Sequence, residues 1–318
     1  MTMHHPSTRR TLRVGTRGSA LALVQTRLVI EALHAHDESI ACEVVTITTR
    51  GDVRLDVPLS TLGGRGVFAA ELEQALRAGE VDVAVHSAKD LPSTLASDMT
   101  LGAFLPREDA RDVVVTRGPL LADLPHGAIV GTSSPRRACQ LRALRPDLQL
   151  RDIRGNVGTR LRKLDEGQYD AIVLAAAGLR RLGLAGRVTE WLGADRMLPS
   201  VGQGAIAVEM RAGDAYPAEL LATIDHAETR ARVVAERAFL ARLGAGCAAP
   251  TAAHATIADG TLHFEGLIGA ADGTTLRERR DGPVASAVSL GVEVADALLL
   301  AGGDALLAAA GVRVGVTA

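Results

Sequence analysis

From Leu12 to Gly204 short apolar runs alternate with amphipathic stretches, and this alternation limits what the 318-residue chain can fold into more than any other feature. LRVG precedes ALALVQTRLVIEAL, CEVVTITT precedes GGRGVFAAELEQALRAG, and VDVAVH runs into the turn HSAKD. Further on, GAIVG precedes SSPRRACQLRAL, LQLRDI precedes NVGTRLRKLDEG, and YDAIVLA precedes AAGLRRLGL. Short apolar runs of this kind read as buried strands and the stretches after them as helices, so the repeat predicts an α/β fold with parallel strands. In such sheets ligands sit at the carboxyl ends of the strands, which is where GTRGS, HSAKD, GTSSPRR and RGNVGTR fall. TSSP is also a helix start: Ser134 can cap, Pro135 suits the first helical position, and the free backbone N–H groups there favour an anion.

The pattern changes after about residue 223. TRARVVAERAFLARLGAGC reads as a helix closed by glycines, and ATIADGTLHFEGLIGAADGTTLRERR as two or three antiparallel strands with Asp-Gly turns. An apolar helix from about Ser286 to Ala301 follows. This region is a separate, small α+β domain, joined near Cys247 by a loop rich in Gly and Ala. A chain of this length exceeds one hydrophobic core, so two or three domains are expected.

With a net charge of -2, one Trp, two Tyr and four Phe, the chain shows neither a basic footprint nor a base-stacking platform, which argues against nucleic acid as a partner. No uninterrupted apolar run approaches the roughly 18 to 20 residues of a membrane span, so a soluble protein without a membrane partner is expected. MTMHHPSTRR has no apolar stretch behind it, which argues against an export signal. The three cysteines, Cys42, Cys139 and Cys247, are odd in number and widely spaced, which fits neither a disulfide framework nor a zinc site. A cytoplasmic setting and no metal are therefore expected.

Among 35 Lys and Arg residues only Lys89 and Lys163 are lysines. Lys89 stands beside Asp90 at the end of an apolar strand, and the pair is open to three readings: an ordinary ion pair, a Schiff-base amine, or an acid–base site built on Asp90. Arg17, Arg136, Arg137, Arg154, Arg160, Arg180 and Arg181 cluster in the strand-end motifs. Any one of them reads equally well as solvated surface. Together, beside Gly, Ser and Thr, they suit a ligand with several carboxylates, because each charge-assisted fork contributes about 1.5 to 3 kcal/mol. Cys247 lies on a Gly-flanked loop that would expose a thiol, whereas Cys42 and Cys139 read as small core residues and His86 as a core histidine.

With these motifs together the chain resembles the porphobilinogen deaminase family over residues 11 to 318. GTRGSALALVQ, TTRGD, GGRGVF, DVAVHSAKDLP, REDARD, GTSSPRR, RGNVGTRL, DAIVLAAAGL, LPSVGQGA, AERAFL and GAGCAAP follow the family's order and spacing. The resemblance implies three domains: two similar mixed-sheet domains like the lobes of periplasmic binding proteins, and a smaller α+β domain at the C-terminus. Domain 1 would span 8–104 with 205–222, domain 2 105–204, and domain 3 223–318.

The resemblance also implies a monomeric transferase carrying one dipyrromethane cofactor, joined by a thioether to Cys247. It would couple four porphobilinogen molecules head to tail with loss of ammonia and release hydroxymethylbilane by hydrolysis. Asp90 matches the family's catalytic aspartate. Ser87, Lys89, Thr132, Ser134, Arg136 and Arg137 match cofactor-binding positions; Arg17, Ser19, Phe68, Arg154, Arg160, Arg181 and Gln203 match positions that handle substrate and the growing chain. Thr61, where some members have lysine, and Ala245, where a glycine is often seen, depart from the pattern. Two other classes fit the residues alone: a non-enzymatic receptor for a small polyanion, and a class I aldolase using Lys89.

Overall fold

The computed structural model describes residues 10–49, 69–246 and 249–312, and contains three sheets. The first is built from β1 (Leu12–Arg17), β2 (Cys42–Ile47), β3 (Val83–Ser87), β4 (Met99–Phe104) and β10 (Ile206–Arg211), in the order β2-β1-β3-β10-β4. Helices α1 (Ala20–His36), α2 (Ala70–Arg77) and α6 (Ala215–Ala222) flank it. The second contains β5 (Asp112–Thr116), β6 (Ile129–Gly131), β7 (Gln149–Arg151), β8 (Ala171–Ala175) and β9 (Glu190–Leu192), in the order β7-β6-β8-β5-β9. Its helices are α3 (Pro135–Leu144), α4 (Val157–Asp165) and α5 (Ala176–Arg181).

Both sheets are mixed, as the family resemblance implies, and strand–helix alternation accounts for their parallel part only. β1 pairs in parallel with β2 and β3, and β6 with β7 and β8, as the alternation implies. But β10 runs antiparallel to both β3 and β4, and β5 antiparallel to β8 and β9. Alternation reports only strands joined by a crossover helix. It carries no information on β10, which returns to the first sheet after the chain has completed the second.

The helix starts follow from side-chain caps. Ser19 Oγ accepts from Ala22 N at 3.3 Å, Ser134 Oγ from Arg137 N at 3.4 Å, and Asn156 Oδ1 from Thr159 N at 2.9 Å. Each satisfies one orphan N–H of its first turn. Val29 and Leu33 of α1 pack with Val14, Val83, Val85 and Val208 in one continuous core.

The third domain joins α7 (Ala227–Arg242) to an antiparallel sheet of β11 (Thr251–Ala258), β12 (Thr261–Gly269) and β13 (Thr275–Pro283). Asp259 and Gly260 close the first hairpin with φ of 50° and 73°, the two left-handed positions that an Asp-Gly turn supplies. α8 (Ala287–Leu298) packs Leu290, Val294 and Leu298 against Phe239, Phe264 and Ile268. It belongs to a helical segment, Val284–Ala309, that has the length and mean hydropathy (1.8) of a membrane span, which the count of uninterrupted apolar runs did not reveal. That segment is kinked at Gly302, carries Glu293 and Asp296, and ends in α9 (Asp304–Ala309).

Two segments cross between the first two sheets, and they run side by side: Leu105 N donates to Ile206 O at 3.2 Å and Glu108 N to Gly204 O at 3.2 Å. Arg107 reaches from the first segment to the fully buried Glu236 of α7, with Nη1 to Oε1 at 2.6 Å and Nη2 to Oε2 at 3.1 Å. The same carboxylate accepts from Gly202 N at 2.7 Å and from Ala255 N of β11 at 2.9 Å, so one side chain ties both crossing segments to the third domain. Gly204 has φ +88°, and a Cβ there would stand 2.3 Å from the Glu108 carbonyl oxygen. Gly204→Ala is expected to lower the unfolding free energy by about 1–3 kcal/mol in urea titration, through left-handed strain and separation of the paired segments.

Candidate functional site

The paired segments leave a cleft of about 550 Å³ between the first two domains. Four strand ends feed it, and each contributes the motif that follows its strand. Arg17, Ser19 and Gln25 come from the β1–α1 junction; Ser87, Lys89 and Asp90 from the end of β3; Arg154, Asn156, Thr159 and Arg160 from the start of α4; Arg181 from α5. Arg137 of α3 completes the wall. Asp90 is the one carboxylate lining the cleft among the described residues.

The turn that carries Lys89 and Asp90 is a single 3-10 turn, Ala88–Asp90. It forms because β10 holds it: Ala88 N donates to Ala205 O at 3.0 Å, and Leu91 N closes onto Ala88 O at 3.3 Å. Gly202 makes the close approach workable, since a Cβ there would sit 3.0 Å from the Ala88 carbonyl carbon. Ser87 Oγ and the Gln25 side-chain amide exchange hydrogen bonds at 2.9 and 3.1 Å, which fixes the start of the turn against α1.

Behind the wall lies a buried charge cluster centred on Asp112, the first residue of β5. Its Oδ2 accepts from Arg136 Nη1 at 2.6 Å, and its Oδ1 from Arg137 Nη2 at 2.7 Å, Arg137 Nε at 3.0 Å and Gln203 Nε2 at 3.1 Å. Burial alone would push the Asp112 carboxyl up, but the Arg136 and Arg137 charges hold it well below the usual carboxylate range. Arg137 also donates through Nη1 to Val173 O at 2.8 Å. A guanidinium has five N–H groups, so these three bonds leave two of them outside the Asp112 cluster, on a side chain that lines the cleft.

Gln203 relays this cluster to the half-buried Lys89, whose Nζ donates to Gln203 Oε1 at 3.2 Å. Burial lowers the Lys89 pKa to about 8, and the Arg137 charge adds to the effect, while Asp90 and Asp112 oppose it. Burial likewise brings Arg160 and Arg181 down to about 10, for Arg160 with help from Arg137 and Arg154. Three cations whose charged forms are disfavoured by their own surroundings are arranged to gain from an anion between them. Their current contacts are modest: Arg160 Nε bonds Gly155 O at 2.8 Å and Arg181 Nη2 bonds Gly204 O at 2.6 Å.

Of the residues singled out from the sequence, Arg17, Ser19, Ser87, Lys89, Asp90, Arg137, Arg154, Arg160 and Arg181 stand together on the cleft wall. Ser134 and Arg136 instead line a separate recess of about 30 Å³ with Lys89, Thr251 and Gly246. Thr132 is buried and accepts from Ser134 N at 3.3 Å, and Gln203 reaches the cleft only through Lys89. Phe68, Cys247 and Thr61 lie outside the described residues. Gln25, Asp112, Asn156 and Thr159 were quoted in the motifs without a role. For Asp112 the available signal was a lone acid opening an apolar strand, DVVV, and for Asn156 a cap residue before VGTRL.

Residues 12–219 match the family model described as "Porphobilinogen deaminase, dipyromethane cofactor binding domain", and residues 230–300 the model of the porphobilinogen deaminase C-terminal domain. The chain belongs to the porphobilinogen deaminase family. It is 57% identical over 301 residues to the porphobilinogen deaminase of Roseiflexus castenholzii (strain DSM 13941 / HLO8), covering 94% of this chain and 99% of that one. Identity to the enzyme of that name from Syntrophotalea carbinolica (strain DSM 2380 / NBRC 103641 / GraBd1) is 50% over 300 residues, covering 94% and 95%. Among solved structures, a putative methionine-binding lipoprotein of Bacillus subtilis subsp. subtilis str. 168 is similar at TM-score 0.43 and 11% identity, covering 69% of this chain and 91% of that one. As a family member the chain is a transferase of tetrapyrrole biosynthesis that uses a dipyrromethane cofactor.

Two outcomes follow from the cluster geometry. Asp112→Asn leaves two buried guanidiniums without their carboxylate and is expected to cost about 3–5 kcal/mol in urea unfolding. Anion binding should also weaken as pH rises through about 8, because Lys89 is charged below that value and neutral above it. Titrating a small dicarboxylate such as succinate at pH 6.5 and 9.5 measures the slope. Lys89→Arg, charged at both pH values, should flatten it.

Proposed function

We propose that the chain couples four porphobilinogen molecules head to tail, with loss of ammonia at each join, and releases hydroxymethylbilane by hydrolysis. The observation that carries this reading is the cleft wall: among the described residues, one carboxylate, Asp90, stands with Arg17, Lys89, Arg137, Arg154, Arg160 and Arg181. Porphobilinogen carries two carboxylates, so a growing chain of such units accumulates negative charge, and a wall of forks and an ammonium suits it. A lone carboxylate in that setting would be repelled by the ligand's acids and is poorly placed as a binding group. It is well placed to meet positive charge.

Each join breaks one carbon–nitrogen bond and makes one carbon–carbon bond, with ammonia leaving and one proton lost from a ring carbon. Asp90 at the pyrrole nitrogens would hold the protonated amine as it departs, stabilise the cation left on the substrate, and accept the ring proton afterwards. The dipyrromethane supplies the pyrrole terminus that is extended. Its acid groups fit the donors at hand: Lys89 borders both the cleft and the small recess, Ser134 and Arg136 border the recess, and Arg137 and Ser87 border the cleft. We place its thioether at Cys247, a reading supported by Gly246, the preceding residue, at the mouth of that recess. Arg17, Ser19, Arg154, Arg160 and Arg181 would take the carboxylates of incoming substrate, with Gln203 acting through Lys89.

We further propose a cytoplasmic monomer with domains at 8–104 with 205–222, 105–204 and 223–318. The division is supported by β10, which joins β3 and β4 after the second sheet is complete. Intact mass of the purified protein tests the cofactor: an excess of two pyrrole units, carried on the Cys247 peptide, is expected, and an unmodified thiol in an active preparation would refute the attachment. Asp90→Asn should retain fold and that excess mass while kcat falls about 10²- to 10⁴-fold. Turnover near wild type in that variant removes Asp90 from its role.

A further inference from the structure

His86 is the penultimate residue of β3, immediately before the turn that carries Lys89 and Asp90. Strand alternation sends Ser87 toward Gln25 of α1 and His86 to the opposite face. There Oε2 of Glu209, on β10, stands 3.0 Å from His86 Nε2, with His86 only 5% exposed and Glu209 0%. The contact is out of hydrogen-bond alignment, and neither oxygen of Glu209 has a hydrogen-bond partner among the described residues. Two more groups face the pair. Glu73 of α2 has its carboxyl raised by burial and by the Glu209 charge, and is bonded by Arg77 at 3.1 Å. Arg237 of α7, lowered by burial and supported by Glu209, donates to Ser93 O at 3.2 Å.

A buried acid and base held by charge alone are a poor device for stability, since well-packed apolar side chains at those positions would serve as well or better. Their placement has a different consequence. β3 and β10 pair through Ile206 with Ser87 and Ala207 with His86, after which both strands leave the sheet toward the cleft. One continues into Lys89 and Asp90, and the other comes from Gln203, the partner of Lys89. The His86–Glu209 contact runs diagonally from the second-last rung, His86 with Ala207, to the rung of Glu209 with Ala84, just behind the point where the strands part.

We propose that His86 and Glu209 form a positioning pair, whose attraction fixes the ends of β3 and β10 and so holds Asp90 at the reacting atoms. The proposal rests on the assignment of Asp90 above. It gives neither residue a contact with substrate.

The test uses loaded holoenzyme bearing His86→Gln, Glu209→Gln or both, with porphobilinogen as substrate. Each single variant should keep the cofactor mass and a KM within about twofold of wild type while kcat falls about ten- to hundredfold, the scale of a small misplacement of a reacting group. In the double variant two neutral amides can bond each other, so kcat should recover well above the product of the two single losses. Amide hydrogen exchange of Ser87–Leu91 should quicken in the single variants while the amides of β1 keep wild-type protection. Unchanged kcat in loaded single variants, losses that simply multiply, or exchange that quickens equally in β1 would each overturn the proposal.

Should the single variants not fold, the wild type decides. In it, exchange of Ser87–Leu91 should be compared with that in His86→Asn and Glu209→Asp, which shorten each side chain and draw the pair apart: the ratio to β1 should rise in both, and an unchanged ratio overturns the pair. Asp90→Asn assayed alongside separates the two ideas: retained turnover there refutes the role of Asp90, whereas the exchange result bears on the pair alone.

Discussion

A single carboxylate, Asp112, is the point on which the cleft depends. Two guanidiniums cannot remain buried side by side without a counter-charge, and Asp112 provides it with bonds of 2.6 and 2.7 Å to Arg136 and Arg137. Because it also accepts from Gln203, which in turn accepts from Lys89, the cluster runs from β5 of the second domain across a crossing segment to the Ala88–Asp90 turn of the first. Positive charge is thereby concentrated at one wall, with Asp112 as its buried counter-charge. An anionic ligand completes a balance that the protein leaves weighted toward the cation side.

Glu236 does for the domain arrangement what Asp112 does for the site. It accepts from Arg107 and Gly202 on the two crossing segments and from Ala255 in the third domain, so three parts of the chain meet at one buried acid. The crossing segments pair closely because Gly204 has no side chain to hold them apart. The cleft of about 550 Å³ lies beside these paired segments, and the cores of the two sheet domains form separate clusters.

Much of the candidate site was legible because its residues lie at strand ends, and strand ends can be read from local patterns. Ser134 with Pro135, and the Asp259-Gly260 turn, took the conformations that their side chains dictate. The Lys89–Asp90 pair was visible as an anomaly, a lysine in a chain that otherwise uses arginine, but composition could not choose among ion pair, Schiff base and acid–base site. The acid–base reading is the one the family resemblance implies. Arg136 and Gln203 look from their motifs like ligand contacts, and each also bonds Asp112 and a backbone carbonyl. A sequence shows that a residue can donate; which acceptor it meets depends on residues far away in the chain.

The sequence by itself determined the elements, their caps and turns, the separate character of the C-terminal region, and, through the order of its motifs, the family. These depend on interactions over a few residues, or on a pattern shared with relatives. Only the tertiary structure decided which strands run antiparallel, that β10 returns between β3 and β4, and that His86 faces Glu209 123 positions away (209 minus 86). Such pairings come from long-range closure and from the demand that every buried charge find a partner, and neither leaves a local trace in the residues that satisfy it.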